Sequence, residues 1–143
     1  MVSREPRQIV GFSVAYDKGF ERIQAVVDSA PDAKNYHTDG FFGYVDIAYP
    51  GKHIRNIHNK NDTFTVEGIN ADLRHYLAVL ARRSRCFCRK LETLEAVLSV
   101  FIDAYNKFGE AKLKYRVPTS HRTQNTKKLH RYRDLPFSLL DFL

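Results

Sequence analysis

Tryptophan is absent from this chain, methionine occurs once and cysteine twice. No stretch approaches the roughly 20 consecutive apolar residues that a membrane-spanning helix needs, so no membrane partner is expected. The two cysteines, Cys86 and Cys88, flank a single residue, Phe87. That spacing is too short for an ordinary structural disulfide, and two thiols alone do not close a zinc site. Reduced, partly buried thiols are the expectation. There is no glycine-rich phosphate loop and no Ser/His/Asp or Cys/His arrangement that argues for nucleophilic catalysis. The first residues, Met1-Val2-Ser3-Arg4-Glu5-Pro6-Arg7, carry no apolar signal region, which makes a cytoplasmic location the expectation.

Acidic residues are also missing from two long stretches. Residues 82–90 hold five Lys or Arg and residues 111–133 hold eight, with no Asp or Glu in either. Thirteen of the 23 basic residues therefore sit in these stretches, leaving 10 basic against 16 acidic elsewhere, although the whole chain carries +7. Positive blocks beside an acidic body point to a polyanionic partner rather than to general basicity. Nucleic acid fits best, because release of counterions from neutralised phosphates drives such binding. A solvated basic surface with no partner is the plain alternative. What is abundant is aromatic: ten Phe and eight Tyr within a 43 % hydrophobic composition, enough in 143 residues for one real core.

Patterning along the chain is that of an α/β protein. Gln8 to Tyr16 reads as a strand, rich in β-branched and aromatic residues, broken at Asp17-Lys18-Gly19. Phe20, Ile23, Val26 and Val27 recur at helical spacing, predicting a helix to Ser29 that Pro31 ends. Asn35 to Thr38 forms a short strand closing at Asp39-Gly40; Phe41 to Ala48 reads as a short helix stopped by Pro50-Gly51. Lys52 to Ile57 is the third strand and 59–62 polar loop. A long helix starts near Asp62 or Thr63, either able to cap it, with Val66, Ile69, Leu73, Tyr76, Leu77 and Leu80 as its apolar stripe. A second helix spans Lys90 to Phe108, with Leu91, Leu94, Val97, Leu98, Phe101 and Tyr105 at the same period and Gly109 as its end. The basic tail that follows is poorly patterned until the apolar Phe137 to Leu143. The expected domains are residues 1–108 and a basic tail, 109–143.

Two carboxylates stand out in this layout: Asp39 at a strand end and Glu67 in the first turn of a helix. Asn70 and Arg74 share the Glu67 face, and the helix leads into Arg82, Arg83, Arg85, Arg89 and Lys90. Carboxylates from a strand end and a helix can converge on a divalent ion, while dense arginine suits a phosphate backbone. The bland alternatives are a turn-forming aspartate before Gly40 and a glutamate that offsets a helix dipole. His37 shares a strand face with Asp39 but is expected as a packed or surface histidine, and His53 and His58 have no convincing ligand geometry.

The segment from Gln8 through Asn106 resembles the catalytic domain of the insertion-sequence-one type (InsB-like) DDE transposases. The resemblance is carried by Arg7-Gln8-Ile9-Val10-Gly11, Thr38-Asp39-Gly40, Val66-Glu67-Gly68-Ile69-Asn70, Leu73-Arg74-His75-Tyr76-Leu77, Ala81-Arg82-Arg83-Ser84 and Tyr105-Asn106. It implies a ribonuclease-H-like fold and an Asp-Asp-Glu triad holding two Mg²⁺ (or Mn²⁺) ions. Asp39 matches the second Asp and Glu67 the Glu. Arg74, Arg82, Arg83, Arg85, Arg89 and Lys90 are then candidate DNA contacts, with Asn70 in support. The expected partners are DNA, at transposon ends and target, and a second copy of the chain in a homo-oligomer.

The sequence departs from that pattern at the first Asp, which belongs on a strand ahead of the segment resembling Gln8 to Ala15. Asp17, just after a strand, is no substitute. In a sheet of order 3-2-1-4-5, strands 1 and 2 separate strand 3 from strand 4, and this chain matches strands 3, 4 and 5 alone. The expectation is an incomplete ribonuclease-H-like fold, N-terminally truncated and catalytically incomplete by itself, whose partner is an upstream-frame fragment of the same transposase. Its activity would be metal-dependent DNA cleavage and strand transfer. The competing expectation is a non-enzymatic DNA-binding remnant or regulator of transposition; a more distant one is an unrelated metal-dependent nuclease.

Overall fold

The computed structural model describes residues 1–17, 19–56, 64–81, 88, 90–115 and 135–143. The chain is mixed α/β, and it divides into two compact units, Met1–Val97 and Leu98–Leu143. No helix among the described residues is long and apolar enough to cross a membrane.

The first unit opens with an antiparallel pair, β1 (Val2–Ser3) and β2 (Gln8–Ile9), in which Val2 faces Ile9 and Ser3 faces Gln8. The strand expected from Gln8 to Tyr16 is thus only two residues long. Beyond Ile9 the Val10 N–H still donates to the Met1 carbonyl at 3.1 Å and the Met1 ammonium to the Gly11 carbonyl, while Gly11 also packs on a helix. A Cβ at Gly11 would lie 3.1 Å from Val26 Cγ1 and 3.2 Å from the Val26 carbonyl oxygen, so the absent side chain permits that close approach. Strand propensity yields here to the neighbour actually present. At the following turn Asp17 Oδ1 accepts the Gly19 N–H at 3.0 Å and pairs with Arg22 at 3.3 Å.

Helix α1 (Phe20–Ser29) has the predicted bounds. It buries Val27, and its C-cap residue, Ala30, is extended because the ring of Pro31 disfavours a helical residue before it. The second sheet is a parallel pair, β3 (Asn35–Thr38) and β4 (Lys52–Arg55), with Asn35 opposite Lys52 and Thr38 opposite Arg55. The Asn56 N–H continues the ladder to the Thr38 carbonyl at 2.9 Å. The crossover, residues 39–51, contains one 3₁₀ turn at Phe42–Tyr44 where a helix to Ala48 is expected. Gln24 of α1 supplies the reason. Its side-chain amide accepts the Ala48 N–H at 2.8 Å and donates to the Ala48 carbonyl at 3.0 Å, so it occupies the N–H that would close the last turn of that helix. Val27, Tyr36 and Ile47 make the core under this sheet, with Met1, Ile23 and Tyr49 packed against it.

Helix α2 (Phe64–Tyr76) buries Thr65 and Ile69, the latter only 1 % exposed. Val66 of the expected stripe is instead exposed, so the buried face is turned slightly from the predicted one. The helix also stops short of Leu80: Leu77 is extended, and Ala78–Leu80 is a 3₁₀ turn. The candidate caps Asp62 and Thr63 lie outside the described residues.

Helix α3 (Leu91–Tyr115) runs from the first unit into the second and continues past Gly109, its expected end. In the second unit it buries Leu98, Phe101, Ile102, Ala104, Tyr105 and Phe108. Phe137 and Phe142 each lie 6.0 Å from Phe108, Tyr115 lies 5.9 Å from Phe137, and Lys112 Nζ sits 4.4 Å over the Phe108 ring. Aromatic pairs add about 0.5–1.5 kcal/mol each beyond area burial, more in sum than the roughly 1 kcal/mol a glycine costs a helix. The returning segment ends in a 3₁₀ turn, Leu139–Phe142, closed by a capping box between Ser138 and Asp141.

Candidate active site

In parallel sheets the carboxyl ends of the strands are where ligands bind, because loops there bring side chains from several elements together. Here that edge holds Thr38, the last residue of β3, followed by Asp39-Gly40, and Arg55, the last residue of β4, followed by Asn56. Asp39 is exposed, and its Oδ1 accepts the Phe41 N–H at 3.0 Å, the turn-forming bond expected of Asp two residues before a chain reversal. One carboxylate oxygen therefore fixes the loop and leaves Oδ2 for a ligand. Arg55 reaches across from β4 and donates to the Gly40 carbonyl at 2.6 Å, which sets a guanidinium beside the Asp39 turn. Asn56 Nδ2 lies 3.4 Å from His37 Nδ1.

Tyr44 completes this group. Burial of its phenol, and then the negative charge of Asp39, push its pKa above the ordinary tyrosine value. At neutral pH it is a firmly protonated hydroxyl within the electrostatic reach of Asp39. Behind the edge, Thr38 Oγ1 and His53 Nε2 are 2.8 Å apart, and the His53 ring packs 4.4 Å from Tyr49. These contacts hold His53 against Thr38 and Tyr49. Burial first and Tyr44 second also raise the Tyr49 pKa.

Glu67, Asn70 and Arg74 form a second group along α2, all three exposed. Glu67 lies in the first turn and Arg74 in the last, the placement each charge favours in a helix dipole. Lys90 is exposed immediately before α3, its carbonyl accepting the Leu94 N–H at 3.3 Å. Arg82, Arg83, Arg85 and Arg89 lie outside the described residues, as do His58 and Cys86; Cys88 is a free, half-buried thiol.

The strand-end group and the α2 group offer hard carboxylate oxygens, the donor type that suits Mg²⁺ or Mn²⁺. Among the described residues, no three His, Cys, Asp or Glu side chains gather closely enough to hold a metal ion together. Sequence reasoning missed Arg55, Asn56 and Tyr44. The register of β3 against β4, which puts Arg55 level with Thr38, is what reveals the first two, and periodicity carries no trace of it. No known protein family, no curated protein and no solved structure matches the chain.

Proposed function

We propose that this chain is catalytic-domain polypeptide of a DDE transposase with a ribonuclease-H-like architecture, acting in DNA transposition by metal-dependent strand cleavage and transfer. The observation that carries this reading is the setting of Asp39: an exposed carboxylate at the carboxyl end of a parallel strand, beside the Arg55 guanidinium and the Tyr44 hydroxyl. Two features of the fold support it. β3 and β4 are neighbours, as strands 4 and 5 are in the order 3-2-1-4-5, while β2 pairs in another sheet. Glu67 follows β4 on the next helix, α2.

In this reading Asp39 and Glu67 hold Mg²⁺ or Mn²⁺. Divalent ions at such carboxylates activate the attacking oxygen and stabilise the leaving one at phosphorus. Arg55 and the protonated Tyr44 offer hydrogen-bond donors to phosphate oxygens, which neutralise charge as it develops. Asn70 orients the Glu67 face, and Arg74, Lys90 and the sequence cluster Arg82, Arg83, Arg85 and Arg89 contact the DNA backbone. The partners are transposon-end and target DNA, a second copy of the chain, and a polypeptide bearing the first Asp. A second reading, DNA binding without chemistry, is favoured by the two basic stretches, 82–90 and 111–133, which carry no acidic residue.

Filter binding of the full chain to duplex DNA across a salt series tests the partner: affinity falls steeply with salt if phosphates are contacted, and absence of binding removes both readings. Complementation with a polypeptide carrying the first Asp separates them. Mg²⁺-dependent cleavage that Asp39→Ala abolishes supports the enzyme; binding that persists with no cleavage by any complemented pair supports the binding protein.

A further inference from the structure

Glycine in the interior of a helix is unfavourable, yet α2 carries Gly68 one residue after Glu67. The neighbour of Gly68 explains it. A Cβ at that position would lie 2.5 Å from a guanidinium nitrogen of Arg7, so the arginine occupies the space a side chain would fill. The same β1–β2 turn supplies Arg4, whose Cζ sits 5.2 Å over the ring of Phe64, one helical turn before Gly68. Two exposed guanidiniums, both from residues 4–7, are thereby laid on the first two turns of α2 on either side of Glu67 in sequence. Among the described residues no carboxylate forms an ion pair with Arg7.

We infer that Arg4 and Arg7 clamp one backbone phosphate of a DNA strand next to Glu67, with Gly68 kept small so that Arg7 lies against the helix. This inference rests on the DNA reading proposed above and extends it to a surface that the two basic stretches do not include. A diester phosphate approaching Glu67 meets a like charge, and cations flanking the carboxylate offset that repulsion. Guanidinium suits the task better than ammonium. Its planar fork stacks on an aromatic ring or on backbone and still directs N–H groups outward to phosphate oxygens. Stacking also removes rotamer freedom beforehand, so less is lost when the phosphate arrives.

The test is the salt dependence of duplex binding by the full chain, for the parent, the double variant Arg4→Ala/Arg7→Ala, and Gly68→Ala. The added methyl in Gly68→Ala meets only the mobile end of the Arg7 side chain, so it displaces the guanidinium without disturbing backbone. Loss of one phosphate contact lowers the slope of log affinity against log salt by about 0.9. That decrease is expected in the double variant and in Gly68→Ala, with a thermal midpoint in Gly68→Ala no lower than the parent's. A parent that binds DNA while both variants keep its slope overturns the clamp alone. A parent that binds no DNA overturns the clamp and the proposed function together.

Discussion

The two units of this molecule are built in opposite ways. Met1–Val97 surrounds a small core of Val27, Tyr36 and Ile47 with short strands and turns, and many of its side chains bond to backbone. Leu98–Leu143, half the length, buries six residues of one helix and packs Phe137 and Phe142 against one of them, Phe108. The candidate chemistry lies in the first. Asp39 and Tyr44 lie in the crossover, Arg55 ends β4 and Glu67 stands in the first turn of α2, with Asp39 and Arg55 held by hydrogen bonds, whereas the second unit offers packing. Stability in the second is a matter of apolar area, and precision in the first is a matter of satisfied polar groups.

Truncation of the second unit's packing centre carries the largest expected effect. Phe108→Ala removes a ring that touches Phe137, Phe142 and Lys112, and should cost about 3–5 kcal/mol in denaturant unfolding. A loss under 1 kcal/mol would show that the aromatic cluster does not hold this unit. Ile69→Val in the first unit should cost about 0.5–1.5 kcal/mol, because one methyl leaves a site that is 1 % exposed. The contrast between units fails if Ile69→Val proves as damaging as Phe108→Ala. Ser138→Ala breaks the capping box and should lower stability by about 1 kcal/mol, read as a reduced thermal midpoint.

The smallest effect is the most informative about the candidate site. Tyr44 and Tyr49 have pKa values raised by burial, so folding favours their neutral phenols. Their contribution to stability is complete below the unfolded value near 10 and is lost as pH rises through their folded values. Alkaline unfolding followed by circular dichroism should therefore begin in that range. Asp39→Asn removes the second cause of the Tyr44 shift and should bring its titration down toward the ordinary value, followed by tyrosinate absorbance. An unchanged Tyr44 titration would separate Asp39 from Tyr44 and dissolve the strand-end group.

Where a punctuating residue coincides with a local period, the sequence was sufficient. Helix α1 and strand β3 keep their predicted bounds because Pro31 and Asp39-Gly40 end them by backbone geometry alone. Three departures from the expected elements involve partners distant in sequence. Gln8 to Tyr16 has strand composition, but its pairing with the first residues goes no further than Gly11, where Val26 of α1 is also met. Phe41 to Ala48 reads as a short helix, but the Gln24 side chain takes the Ala48 N–H that would close its last turn. Gly109 reads as a helix end, but Phe137 and Phe142 return to hold the helix through it. The candidate site follows the same rule. The placement of Asp39 and Glu67 at element ends was legible, and that of Arg55 level with Thr38 was not, because parallel pairing across residues 39–51 leaves no local mark.

Gly51 shows how far such a constraint extends. A Cβ there would stand 2.1 Å from the Ala33 carbonyl oxygen and 2.7 Å from that of Lys34, rigid main-chain atoms at the entrance to β3. No other amino acid fits without prising the two strands apart where they first meet. Since that meeting point decides which β4 residue draws level with Thr38, a missing methyl at one end of the ladder aims the arginine at the other.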